Sequence, residues 1–367
     1  MSFHIKVTII YILCYLYIRL WICRMLSEKK KTKLIILIAT DIMTLSLPIA
    51  VFSRDFMPLN LKLILLGAGY TWAAIIACSV PLAVCFEPLR IGLKFLAPNL
   101  KIPKEKIFAL LCCGCIIMVV GGYISATSPV VKEVHYDFSN GTGTAKEYDI
   151  AAVSDFHAGE LMTRKTVARM VEAINKTTPD LIILAGDTLD SRDCLPSGAL
   201  KELAKLSAPL GKYAVLGNHE YYIGADWSVA RLKEQGINIL RDNSTVIDNR
   251  LLLVGRDDFA GLRFNSTRIP LADILEKAPE LPTIVIDHTP RELEEAADCG
   301  VKLQFSGHTH NGQLFPFNYL VDKIFENSFG ELIKKQTVFY VSSGIGFWGP
   351  PLRTNSRSQI ILMRITL

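Results

Sequence analysis

The chain has 367 residues, half of them hydrophobic, with a mean hydropathy of +0.30 and a formal charge of +5. It is long for one compact domain, and the apolar excess lies almost wholly before about residue 126, so two unlike parts are expected. Much of the Lys and Arg sits in two short loops between apolar runs, which makes it a topology signal and not a nucleic-acid-binding surface.

Four stretches reach the roughly 20 apolar residues that a membrane-crossing helix needs: about residues 7–23, 34–52, 63–86 and 107–125. The first lacks a strongly basic start and a small-residue cleavage site, and a second span follows at once, so it reads as retained. Arg24, Lys29, Lys30, Lys31 and Lys33 separate spans one and two, and Arg90, Lys94, Lys101, Lys104 and Lys106 separate spans three and four. Both basic loops are therefore expected in the cytoplasm, which makes this a multi-pass protein of the cell membrane with its C-terminal domain extracytoplasmic. Arg19 and Asp41 interrupt the first two spans at similar depth. Either they pair, or Arg19 snorkels to the interface while Asp41 faces a polar gap.

Seven of the nine cysteines lie in apolar runs, where cysteine packs as a small hydrophobe. Cys194 and Cys299 are either two free thiols or one disulfide. Residues 126–147 carry Ser, Thr, Gly and Asn with little periodicity and read as a linker. From 148 to 367, short apolar runs (Ile150–Val153, Leu181–Leu184, Tyr213–Leu216, Leu251–Val254, Thr283–Ile286, Val338–Val341, Ile360–Met363) alternate with amphipathic stretches such as Lys165–Asn175 and Arg291–Ala297. That alternation predicts an α/β domain.

Five of the seven histidines follow predicted strands in short polar clusters: His157, His219, His288, His308 and His310, leaving only His4 and His135 apart. Oxygen donors and glycines accompany them, namely Asp155, Gly186 with Asp187, Gly217 with Asn218 and Glu220, and Gly307. Loops at strand ends converge, so ligands distant in sequence can meet there on a rigid base. Mixed His, Asp and Asn donors without cysteine suit Mn, Fe or Zn.

The ordered set Asp-x-His, Gly-Asp, Gly-Asn-His-Glu, His and Gly-His-x-His, from about Tyr148 to the end, resembles the calcineurin-like metallophosphoesterase family. The Gly312-Gln313 that follows, with Gly344 and Gly346, is similar to its membrane-associated bacterial branch. The resemblance implies an αββα sandwich, two mixed β-sheets flanked by helices, behind the four-helix transmembrane region. It implies two divalent metal ions per chain, one held by Asp155, His157, Asp187 and His310 and the other by Asp187, Asn218, His288 and His308, with Asp187 bridging. A hydroxide between them is the implied nucleophile, and His219 the implied catalytic acid. The substrate is then a phosphodiester, phosphomonoester or pyrophosphate, with lipid-linked and cell-envelope phosphates in reach, membrane lipids as neighbours and no nucleic acid expected.

The chain departs from the family pattern at Ser358 and Gln359, where Pro-Glu is common, which bears on packing or substrate contact. Arg353 is read either as a phosphate contact or as a surface residue. Aromatic loops around Tyr221, Tyr222, Phe315, Phe317, Phe347 and Trp348 are read either as contacts to membrane or acyl chain or as packing. The competing function is a catalytically weak, membrane-tethered metal-binding interaction module, but no ligand position is missing. Four short-looped helices offer little room for a transport path, so anchoring is their simpler role.

Overall fold

The computed structural model describes all residues except 1–2, 27–28, 54–55, 97–102, 140–144 and 193–197. Cys194 and Lys101 fall outside the described residues. The chain divides into two compact units, with the boundary after Ile124.

The first unit contains four helices: α1 (Phe3–Met25), α2 (Lys30–Phe52), α3 (Leu59–Leu96) and α4 (Lys104–Thr127). Each is long and apolar enough to cross a membrane. Leu13, Leu20, Ile35, Ile64, Leu110 and Ile117 stay exposed, as a lipid-facing surface requires. The unit holds together through small and polar residues: a Cβ at Gly69 would lie 2.6 Å from Leu47, and Trp72 donates to Thr44 Oγ1 at 2.8 Å. Arg19 and Asp41 meet, with Nε 3.0 Å from Oδ1, and Tyr15 donates to the same carboxylate. Of the two sequence readings, the structure adopts the pair.

Helix α3 runs ten residues beyond the expected end at 86, so Arg90 is helical and not in a loop. The apolar positions Leu89, Ile91 and Phe95 continue the helix. At 38 residues it is about 57 Å long, well past the roughly 30 Å hydrocarbon core.

The second unit contains twelve strands in two six-stranded sheets. They are β1 (Val130–Asp137), β2 (Glu147–Val153), β3 (Leu181–Ala185), β4 (Lys212–Val215), β5 (Asn238–Ile239), β6 (Asn243–Ile247), β7 (Leu251–Gly255), β8 (Thr283–Ile286), β9 (Leu303–Ser306), β10 (Gly330–Lys334), β11 (Thr337–Val341) and β12 (Gln359–Thr366). One sheet runs β1-β12-β2-β3-β4-β5 and the other β10-β11-β9-β8-β7-β6. Both mix parallel and antiparallel pairs.

The expected linker contains a strand. β1 pairs in parallel with the whole of β12, Val130 opposite Gln359 through Asp137 opposite Thr366. It is an edge strand in which Val134 and Tyr136 pack on the core and Lys132, on the same face, reaches over the Tyr340 ring, while Glu133 and His135 face out, so the charges and the flanking Ser, Thr and Gly hid its alternation. The second unit accordingly starts at Ser125 and not at 148.

Side-chain alternation builds four layers. Ile150, Ala152, Leu181 and Ile183 of one sheet interlock with Leu251, Leu253, Ile284, Ile286 and Phe305 of the other. The opposite faces, Ala151, Val153, Ile182 and Leu184, pack on α5 (Arg164–Asn175) and α6 (Ala199–Leu203). Those of the second sheet, Leu252, Val254 and Val285, pack on α9 (Leu271–Leu275) and α10 (Leu293–Asp298). Strands buried on both faces read as continuous apolar runs, which is why they were visible in the sequence. Each large side chain buried this way contributes about 1.5–3 kcal/mol. The described residues of the unit also form the short helices α7 (Asn218–Ile223), α8 (Ala225–Glu234) and α11 (Asn318–Ile324).

Candidate metal centre

Five parallel-running strands of the two sheets, β2, β3, β4, β8 and β9, each end in a loop that carries expected site residues. Asp155 and His157 follow β2, Asp187 follows β3, Asn218 and His219 open α7 after β4, His288 follows β8, and His308 with His310 follow β9. These loops turn sharply. Asp155, His157, Asp187, His308 and His310 all have left-handed backbones, with φ from 49° to 70°. Such conformations cost free energy at non-glycine residues and persist where the surrounding structure enforces them.

The side chains converge in two groups. In one, His157 Nε2 lies 3.0 Å from His310 Nε2, and His310 Nε2 lies 3.4 Å from Asp155 Oδ1. In the other, His288 Nε2 lies 3.2 Å from Asp187 Oδ2, 3.3 Å from Asn218 Oδ1 and 3.3 Å from His308 Nδ1. Asp187 Oδ2 is also 3.9 Å from His157 Nε2, which places one carboxylate between the two sets. All seven expected ligands are thus together, and all but His308 are buried.

Several contacts aim these groups. His288 Nδ1 bonds the Ala185 carbonyl at 2.8 Å, which turns Nε2 toward Asn218 and Asp187. Asp155 accepts the His308 N–H at 3.1 and 3.2 Å, and Asp187 accepts the His219 N–H at 2.9 Å. Gly217 is dictated by contact, because a Cβ there would lie 2.2 Å from Asp187 Oδ1; at Gly346 it would lie 2.2 Å from the Phe156 carbonyl.

Sequence reasoning assigned no role to two carboxylates that the structure brings forward. Glu220, wholly buried, accepts the N–H groups of Asp187, Leu189 and Gly217 at 3.0, 2.8 and 2.7 Å and so ties the β3 loop to the β4 loop. Burial, with Asp187 nearby, pushes its carboxyl up to about 7. Asp190 Oδ1 sits 2.5 Å from His219 Nδ1 and 3.3 Å from His157 Nδ1. An acid three residues after Asp187, just past a strand, was the available signal.

Arg353 is not a surface residue. It is buried, donates to the Gly346 carbonyl at 2.6 and 2.9 Å and to Ser356 Oγ at 2.9 Å, and lies 3.1 Å from His310 Nδ1. Its donors brace the loop after β11 against the His310 loop, and a glycine-rich context concealed this because the partners are carbonyls far apart in sequence. Ser358 and Gln359 are likewise buried and bond Ala126 O and Ser342 Oγ, so that departure serves packing.

The profile of the calcineurin-like phosphoesterase family matches residues 148–312. An uncharacterized metallophosphoesterase of Aquifex aeolicus is 36% identical over 226 residues, 60% of this chain and 85% of that one. The chain belongs to the calcineurin-like metallophosphoesterase family. A metallophosphoesterase of Helicobacter pylori is 32% identical over 67% of this chain and 66% of its own length. A bovine transmembrane protein with metallophosphoesterase domain is 30% identical over 67% of this chain, which spans 59% of it.

Members of this metallophosphoesterase family typically bind two divalent metals, and the donor set fits such ions. Burial, with His288 beside it, pushes His308 down to about 4. Burial together with His157 and Arg353 holds His310 well below the ordinary histidine range. Both rings are therefore uncharged, as ligation of a cation requires. Burial opposes the charge of Asp187, yet His288, His219 and His157 outweigh it and keep the carboxyl ionised. Clustered lone pairs and carboxylates out of water are costly unless a cation lies among them.

Asp190 touches the outer nitrogen of two site histidines, so Asp190→Asn is expected to lower turnover of an aryl phosphoester roughly 10- to 100-fold. Circular dichroism melting checks that the fold survives; unchanged turnover in a folded variant would remove Asp190 from this role.

Proposed function

We propose that the chain is a membrane-anchored hydrolase of phosphoric esters or anhydrides that works at a binuclear metal centre. The observation that carries this reading is the position of Asp187, one carboxylate shared by two sets of donors. Asp155, His157 and His310 would hold one ion, Asn218, His288 and His308 the other, and Asp187 both. Two divalent ions so held supply an activated water and neutralise the charge that develops on the phosphoryl oxygens.

His219 is the general acid in this reading. Its Nδ1 is engaged by Asp190, and its Nε2 faces the cluster 4.0 Å from Asp187 Oδ2. Burial disfavours the imidazolium, yet Asp187 and Asp190 outweigh that and push His219 up to about 9, so it holds a proton to give to the departing oxygen. Cations shared with Asp187 would offset part of that attraction and bring the ring closer to neutrality, where transfer is most effective.

Added manganese is expected to support hydrolysis of an aryl phosphodiester, phosphomonoester or pyrophosphate by the purified chain. His219→Ala should cut turnover by about 10²- to 10⁴-fold with little loss of bound metal, and Asp187→Asn should lose both. Parallel losses of metal and turnover in His219→Ala would contradict its assignment as an acid.

We also propose that this domain is extracytoplasmic, supported by the basic residues Arg24 at the end of α1, Lys29 after it, and Lys30 and Lys31 at the start of α2. Protease added to intact cells should degrade the C-terminal domain; protection there, with digestion only in inverted vesicles, would reverse the topology.

A further inference from the structure

The segment between β9 and β10 leaves the His308–His310 loop, runs outward and returns. Along it Phe315, Phe317, Tyr319, Leu320 and Ile324 are 42–60% exposed, and no residue of α11 is buried. Beside it Phe325 packs its ring on His308 with centroids 5.7 Å apart, and the exposed Asp322 accepts from Ser328. A second exposed apolar group, Tyr222, Phe264 and Trp348, flanks His219, whose ring lies 5.4 Å from Tyr222 and 6.1 Å from Trp348. Gln313 fixes Trp348 there by exchanging two hydrogen bonds with its backbone, at 2.9 and 3.0 Å. Tyr221 and Phe347 are buried, so for these two of the aromatics the packing reading holds.

Water-facing aromatic and aliphatic side chains in this density mark a contact surface. The connectivity says what is available to cover it: only Ser128 and Pro129 separate α4, which is apolar enough to cross a membrane, from β1. Lipid is therefore the apolar phase permanently within reach. We infer that Phe315–Ile324 inserts into the lipid interface and that the metal centre it borders acts on a phosphoester carried by an amphiphile whose apolar part remains in the membrane. This deepens the hydrolase reading and rests on it for the chemistry, while the location of the segment can be measured on its own.

The test uses the full chain in nanodiscs of phosphatidylethanolamine and phosphatidylglycerol, with an environment-sensitive fluorescent amino acid placed at Leu320 or, as a control, at exposed Glu172 of α5. At 320 a blue-shifted emission that is quenched when the lipids carry brominated chains is expected, with neither change at 172. Water-like emission at 320 would overturn the inference even where the same sample hydrolyses a soluble aryl ester. A blue shift without bromine quenching would reveal a protein partner such as a second copy and would overturn it too. Failure of the hydrolase reading is separate, since it appears as no turnover whatever the probe reports.

Discussion

One buried carboxylate sets the terms for the rest of the second unit. Asp187 lies within 3.2 Å of His288 and 3.9 Å of His157, members of two different donor groups, and it must stay ionised while wholly out of water. Its backbone N–H is held by Glu220, its Oδ1 by the N–H of His219, and the space beside it is kept open by Gly217. A larger residue at 217, or a lost acceptor at 220, would displace the group on which both donor sets depend. Left-handed backbones at five of the donor positions carry the same message: the loops are forced into costly conformations, and the sandwich beneath supplies the rigidity that holds them.

That rigidity comes from the packing of the two sheets. β2, β3 and β4 belong to one sheet and β8 and β9 to the other, so the donors meet only because the sheets stack with their carboxyl ends on one rim. The shared core of Ile150, Ile183, Val215, Ile286 and Phe305 lies directly beneath the donor loops and fixes the separation between them. Charge then completes the arrangement, with Asp190 orienting the outer nitrogens of His157 and His219 and Arg353 tying the His310 loop to the loop after β11.

Much of this was legible in the sequence, for physical reasons. Strands buried on both faces give unbroken apolar runs, so β2, β3, β4, β7, β8, β11 and β12 stood out, and five histidines after strands pointed to the site. β1 and β10 escaped notice because edge strands alternate with charge, and β9 because four residues including Gln304 give too little signal. Arg353 was misjudged because its partners are carbonyls brought near only by folding. Asp190 was passed over, and Glu220, though noted among the oxygen donors of the Gly-Asn-His-Glu cluster, was given no role, because each acts on another residue's orientation. The split among the aromatics, with Tyr221 and Phe347 in the core and Tyr222 and Trp348 at the surface, turns on neighbouring positions that face opposite ways.

The membrane unit is organised differently, with a small apolar cluster around Trp21 and Ile22, close approach at Gly69 and one polar cluster. Tyr15, Arg19 and Asp41 satisfy one another, which offsets the cost of placing the two charges within membrane-length helices. The claim on which everything else turns is that two cations share Asp187. Anomalous diffraction from manganese-loaded crystals of the full chain measures this directly. The account predicts two peaks about 3.5–4 Å apart with the Asp187 carboxylate between them; a single peak, or a pair that Asp187 does not join, would contradict it.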